Sequence, residues 1–147
     1  MEFGELLKQF LIDLQSLFRT QFKKLDLTLS QIILISSIPI DGIDMTTLSI
    51  KIGVDNSTLT RLIDILMKKG FVQKNRSSQD RRSYIISVTK KGELLQSKIE
   101  DKIDSFVSKL FRNTRLEDQE ELKKSLSSFH WIVSKYCLLY TSPSPRD

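Results

Sequence analysis

Two clusters of side chains in this chain are of types that handle anions and base edges. The first is Asn56, Ser57, Thr58, Thr60 and Arg61, which follow an acidic residue, Asp55. Small hydroxyl and amide groups donate to and accept from base edges, and the free N–H groups at a helix N-terminus suit a phosphate. Arg61 is long enough to reach a guanine edge or a phosphate. The second cluster is Arg76 with the run Gln79-Asp80-Arg81-Arg82. An arginine entering a narrow minor groove gains from the negative potential there. A neighbouring carboxylate, Asp80, is able to hydrogen-bond a guanidinium and fix its direction. Taken singly, each cluster has a plainer reading. The first is then a capped helix with a solvated face, and the second a surface ion pair worth about 0–1 kcal/mol. Their succession within one short stretch favours a grip on DNA.

The surrounding residues supply elements to position them. Asp55 is the N-cap expected for a helix from about Asn56 to Lys69, with Asn56 or Ser57 as neighbours in that role. That helix buries Leu59, Leu62, Ile63, Leu66 and Met67, and keeps Ser57, Thr58, Thr60, Arg61 and Asp64 off the buried face. Lys68-Lys69 sit at the negative end of its dipole, and Gly70 ends it. Phe71–Asn75 and Ser83–Thr89 alternate as strands, which makes Arg76–Arg82 the polar tip of a two-stranded ribbon. Upstream, Thr28 or Ser30 caps a helix over Leu29–Ile38 that stops before Pro39. Asp41-Gly42 marks a turn. Asp44 or Thr46 opens a short helix that buries Leu48 and Ile52 and stops at Gly53. A short helix, a glycine-containing turn and a second helix outline a helix-turn-helix.

Long amphipathic segments flank this unit. Phe3, Leu6, Leu7, Phe10, Leu11, Leu14, Leu17, Phe18 and Phe22 recur at helical spacing, forming a stripe that either covers a core or forms a seam with a second chain. From Lys90-Lys91-Gly92 a long helix buries Leu94, Leu95, Ile99, Ile103, Phe106, Val107 and Leu110. Asn113-Thr114 breaks it, and a last helix follows Glu117, burying Leu122, Leu126, Phe129, Ile132, Val133 and Tyr136. The tail Thr141–Asp147 carries Pro143 and Pro145 among serines and continues no upstream pattern. It is expected to be disordered, and its composition leaves open whether it is a native or a non-native segment.

Composition sets the bounds. The 147 residues suit one domain with an added oligomerisation element. A net charge of +5 and a pI near 9.4 favour an anionic partner, although a slight lysine excess on a solvated surface gives the same numbers. A single cysteine, Cys137, cannot form an internal disulfide, which points to a reducing, cytoplasmic setting. Together with a single histidine, His130, it leaves no cluster with metal-ligand spacing. There is no nucleophile–base pair and no glycine-rich phosphate loop, so neither an enzyme nor a cofactor is expected. Leu29–Ile40 is too short to cross a bilayer, and Glu2, Glu5, Lys8 and Gln9 interrupt any secretory pattern, so no membrane association is expected.

The run Asp55-Asn56-Ser57-Thr58-Leu59-Thr60-Arg61-Leu62-Ile63-Asp64, then Leu66–Val72, then Asp80-Arg81-Arg82-Ser83-Tyr84 and Ser87-Val88-Thr89-Lys90-Lys91-Gly92, closely resembles the winged helix-turn-helix of MarR-type transcriptional regulators. The resemblance implies a mainly α fold with a small β-wing, flanked by N- and C-terminal dimerisation helices. Residues 1–27 would then be the N-terminal dimerisation helix and 28–91 the DNA-binding domain, with 92–140 the C-terminal dimerisation helices and 141–147 the tail. It implies a homodimer that binds double-stranded DNA at a pseudo-palindromic operator, as a repressor that a small-molecule effector releases. Ser57, Thr58, Thr60 and Arg61 match the recognition-helix positions, with Asn56 beside them. Arg82 matches the wing arginine, Asp80 its orienting acid, and Arg81 and Arg76 add to the basic surface, Arg81 at a phosphate. Ser77-Ser78 depart from the proline or acidic turn of many relatives, which leaves the reach of the wing open. Relatives that sense oxidants carry a cysteine in the first helix, where this chain has none. His130-Trp131 fit either a ligand pocket or a dimer core. The alternative function is a winged-helix interaction module without specific DNA binding. Such a module would carry apolar or acidic residues where Ser57, Thr60, Arg61 and Arg82 stand.

Overall fold

The computed structural model describes residues 1–80 and 82–140, the side chains of Leu139 and Tyr140 apart. The phosphate role expected of Arg81 and the disorder expected of Thr141–Asp147 lie outside the described residues. The chain forms two compact units, the first from Met1 to Ile103 and the second beginning at Asp104.

The first unit opens with α1 (Phe3–Gln21) and a 3-10 turn (Lys23–Leu25), followed by α2 (Leu29–Ser36), β1 (Ile43–Asp44), α3 (Met45–Ile52), α4 (Asn56–Lys68), β2 (Val72–Arg76) and β3 (Tyr84–Val88). It includes most of α5 (Lys90–Leu110). Side chains fix the helix starts. Thr28 rather than Ser30 caps α2: its hydroxyl accepts from Gln31 N–H at 3.2 Å, and the Gln31 side chain accepts from Thr28 N–H at 3.1 Å. This reciprocal pair satisfies two N–H groups that the helix itself leaves unpaired. Asp44 rather than Thr46 caps α3, accepting from Thr47 N–H at 2.9 Å and from the Thr47 hydroxyl at 2.7 Å. Partial burial pushes the Asp44 carboxyl up, but the Thr47 hydroxyl and the nearby N–H groups outweigh it and hold it below the usual carboxylate value.

Helix α2 stops two residues short of the expected Ile38. Pro39 disfavours the α conformation at Ile38, and the Ser37 hydroxyl folds back onto the Ile33 carbonyl at 2.7 Å. The sheet has three strands in the order β1-β3-β2, all antiparallel, and not the two that alternation alone indicates. The added strand, β1, pairs Ile43 with Ile86 and Asp44 with Ile85. Two residues are too few to show a period of two in sequence. The core gathers Phe22, Ile32, Leu34, Ile35, Leu48, Leu59, Ile63, Leu66, Val72, Ile86, Leu95 and Ile99. Gln96 Nε2 donates to the carbonyls of Ile35 at 2.8 Å and Ile38 at 3.0 Å, tying α5 to the open end of α2. The arrangement is a winged helix-turn-helix.

Burial corrects several expectations. Met67 is 39% exposed and Leu94 and Leu110 are exposed, while Leu59, Ile63, Leu66, Leu95, Ile99 and Phe106 are buried as their spacing indicates. No residue of α1 is buried, although Phe18 is half-buried and packs its ring 5.7 Å from that of Phe22. In the second unit, turns at Phe111–Thr114 lead into α6 (Leu116–Tyr140), whose first turn is held by the Arg115–Asp118 ion pair at 3.1 Å. Leu122, Leu126, Ile132, Val133 and Tyr136, expected to be buried, are exposed, and Phe129 is half-buried. Their helical spacing was legible, but spacing alone does not tell whether such a stripe is buried. Among the described residues no helix is long and apolar enough to cross a membrane.

Candidate nucleic-acid interface

Helices α3 and α4 meet through a turn set by Gly53 and Asp55. Gly53 takes a left-handed conformation (φ 71°) that a Cβ would strain, and Val54 N–H returns to the Ser49 carbonyl at 3.0 Å. The Asp55 carboxylate accepts from Thr58 N–H at 2.7 Å. That backbone hydrogen bond, aided by the Thr58 hydroxyl, holds its carboxyl below the ordinary value of 3.8. Buried Leu59, Ile63 and Leu66 anchor α4 to the core. Its first turns therefore face outward, with Asn56, Ser57, Thr60 and Arg61 exposed and Thr58 half-buried.

Local bonds arrange this face. The Thr60 hydroxyl donates to the Asn56 carbonyl at 2.8 Å and stays on the exposed face. Arg61 Nη2 lies 3.5 Å from the Thr58 hydroxyl, at the long limit for a hydrogen bond. The guanidinium is thus weakly held and ready to exchange that contact for another.

The ribbon closes in a bonded turn. Arg76 pairs with Tyr84, and Ser77 N–H donates to the Ser83 carbonyl at 3.0 Å. The Ser77 hydroxyl accepts from Gln79 N–H at 3.2 Å and Asp80 N–H at 3.3 Å. Asp80 Oδ1 accepts from Arg82 N–H at 3.0 Å. The carboxylate thus bonds the Arg82 backbone, and among the described residues it makes no ion pair with the Arg82 guanidinium. The sequence places Ser77 in the turn but assigns its hydroxyl no bond. Its signal is the Ser-x-x-Asp spacing at a chain reversal, where a hydroxyl closes a turn by accepting from the next backbone N–H groups.

Two further residues emerge only from the fold. The Tyr84 ring has Lys74 Nζ 4.4 Å and Arg76 Cζ 5.2 Å from its centroid. The sequence places α4 and the basic tip in succession; the structure brings both into the first unit through α4 packing on β2. Nearby, Lys91 Nζ donates to the Lys69 carbonyl at 2.7 Å and lies 4.8 Å from the Phe71 ring centre. An open cavity of about 290 Å³ there is lined by Lys24, Lys91 and Lys98 with Leu25, Phe71, Leu94 and Leu95.

Residues 28–84 match the model of the MarR family. Among curated proteins, the chain is similar to the HTH-type transcriptional regulator SarZ of Staphylococcus saprophyticus, at 29% identity over 115 residues, covering 76% of each chain. SarZ of Staphylococcus epidermidis is 30% identical over 108 residues, covering 73% of this chain and 72% of the relative. Among solved structures, a cysteine-to-serine mutant of MarR from E. coli superimposes with a TM-score of 0.79 at 22% identity, over 88% of this chain and 96% of that one. Streptococcus pneumoniae FabT in complex with DNA gives a TM-score of 0.74 at 20% identity, over 90% and 95%. At those identities the likeness to the solved structures is one of fold.

Proposed function

Because the chain belongs to the MarR family of DNA-binding transcriptional regulators, which are not enzymes, we propose that it acts as a homodimeric repressor on a pseudo-palindromic operator. The observation that carries the reading is the exposed start of α4 followed by a turn that holds Arg82 at the ribbon tip. In this reading Asn56, Ser57, Thr58, Thr60 and Arg61 meet base edges and phosphates in the major groove. Arg82 enters the minor groove, Asp80 sets its direction, and Arg76 and Arg81 meet the backbone. FabT, of the same fold, is seen in complex with DNA, which supports this use of the fold. The protein works on chromosomal DNA in a prokaryotic cytoplasm.

Residues 28–91 form the DNA-binding domain, and 1–27 and 92–140 supply the dimer contacts. The exposed apolar stripes on α1 and α6 support that division, since isolated surface leucines are ordinary but whole stripes mark interfaces. Two lobes then meet successive major-groove faces about 34–36 Å apart. The lysine-lined cavity with Phe71 at its wall supports a small anionic or phenolic effector. Such a ligand releases DNA only through differential affinity for the two lobe spacings.

A mobility-shift assay tests the reading, with random and palindrome-enriched duplexes at two salt concentrations, for the wild type and Arg82→Ala. The expected result is a discrete dimer-sized complex on a selected palindrome, weakened by about 1–3 kcal/mol in Arg82→Ala. Weak, salt-sensitive smearing that the substitution leaves unchanged would overturn it.

A further inference from the structure

We propose that Tyr84 is a positioning residue for DNA binding: its ring holds Lys74 and Arg76 as an ordered pair of cations that grips backbone phosphates beside the ribbon tip. The proposal rests on the DNA-binding reading above. Strand alternation and register place the three together. Val72, Lys74 and Arg76 share one face of β2, and Tyr84, Ile86 and Val88 the same face of β3. This face starts in the core at Val72 and Ile86, both buried, and ends in the cluster, where Lys74 and Tyr84 are half-buried and Arg76 is exposed.

Two cations crowded on one strand repel each other, yet both settle on a single ring, at 4.4 and 5.2 Å. The ring's negative face attracts each of them and offsets part of that repulsion. Between Val72 and Val88 the sole acid is Asp80, whose carboxylate already takes Arg82 N–H. Among the described residues Lys74 makes no ion pair with a carboxylate. Lys74 therefore has its charge on the ring face and on no carboxylate among the described residues, and a phosphate alongside supplies the counter-charge. Backbone phosphates fit better than base edges. Lys74 presents a point charge with no directional code, and contacts of that kind position a protein on the duplex without reading sequence. Holding two long side chains in place beforehand lowers the entropy lost when the phosphates arrive.

The experiment uses the full chain and measures fluorescence anisotropy on a random-sequence duplex and on a selected operator, across a sodium chloride series. Tyr84→Leu is expected to weaken binding to both about three- to tenfold. It is also expected to flatten the salt dependence by up to about two units of slope, the share of two phosphate contacts. Tyr84→Phe keeps the ring and is expected to bind as the wild type does. In a Lys74→Gln/Arg76→Gln background, Tyr84→Leu is expected to add nothing, which a merely structural role for the ring would not produce. Melting temperatures check folding. If Tyr84→Leu does not fold, a pentafluorinated phenylalanine at position 84 keeps the shape, removes the negative ring face, and is expected to weaken binding equally. Wild-type affinity and slope in Tyr84→Leu, or in the fluorinated variant where Leu does not fold, would overturn the proposal. So would an undiminished loss in the Gln/Gln background, or a Phe variant as weak as Leu. A wild type that binds neither duplex would instead overturn the DNA-binding reading itself.

Discussion

Asp55 and Asp80 are exposed carboxylates that accept from backbone N–H groups. At Asp80, an uncharged amide oxygen accepts the same bond, so Asp80→Asn should keep DNA affinity. Asp80→Ala loses the acceptor and lets the Arg82 backbone wander, at a cost of about 0.5–1.5 kcal/mol in binding. Titration of a selected duplex against the two variants measures this, and equal affinity for both would refute it. Asp55 makes a pH prediction. Its folded carboxyl titrates below the ordinary value of 3.8, so its contribution is present above that value and is lost as pH falls through the lower folded one. The first turn of α4 should loosen in acid, seen as faster exchange of the Thr58 amide. Asp55→Asn, which caps without titrating, should remove that pH dependence; an unchanged profile would count against the cap as its source. Caps such as Asp55 were legible in the sequence because they act over three residues. The role of Tyr84 was not, because its partners Lys74 and Arg76 lie across a chain reversal whose register only the fold sets.

The joint between β3 and α5 is where element-scale constraint is greatest. The Thr89 hydroxyl donates to the Gly70 carbonyl at 2.6 Å and accepts from Gly92 N–H at 3.1 Å, so it both caps α5 and ties it to the end of α4. A Cβ at Gly92 would run into the Phe71 carbonyl, which itself accepts from Thr89 N–H at 3.0 Å. The obstruction is backbone and cannot swing aside. Gly92→Ala should therefore destabilise the fold by about 1–3 kcal/mol, read as a lowered midpoint in urea denaturation. An unchanged midpoint would mean the joint yields. The elements themselves were largely legible. The α4 start matched its cap, and the α3 stop matched Gly53. What was hidden depended on tertiary pairing. β1 exists because Ile43 and Asp44 find β3, and Gly42, at φ 84°, lets the chain pass where a Cβ would meet Ile85. The close approach at Gly92 was equally invisible, since a helix pattern indicates nothing about which carbonyl lies against it.

At the scale of the molecule, the apolar stripes are the largest departure from a self-sufficient chain. Phe10 is 53% exposed, Leu126 63% and Trp131 62%, each on a helix that carries several such neighbours. Helical spacing told which residues share a face but not what covers it; a stripe reads the same whether its partner is its own core or a second chain. In the proposed homodimer, helices of one chain cover those of its partner. A stable interface of this kind buries about 800 Å² per chain, which stripes of this length are able to supply. Neither Phe10 nor Leu126 belongs to the core that holds the DNA-binding unit together. A charge at either position should then break the dimer and leave each winged unit folded. Phe10→Glu/Leu126→Glu should sediment as a monomer at concentrations where the wild type is dimeric. The same variant should keep its weak, salt-sensitive hold on random duplexes, because its α4 face and ribbon tip are untouched. Its affinity for the palindrome should fall by about 10²–10⁴, the advantage that linking two binding modules confers. A monomer that still binds the palindrome as tightly as the wild type would separate DNA recognition from dimerisation and sink the two-lobe reading. A variant that stays dimeric would show that these stripes are not the seam.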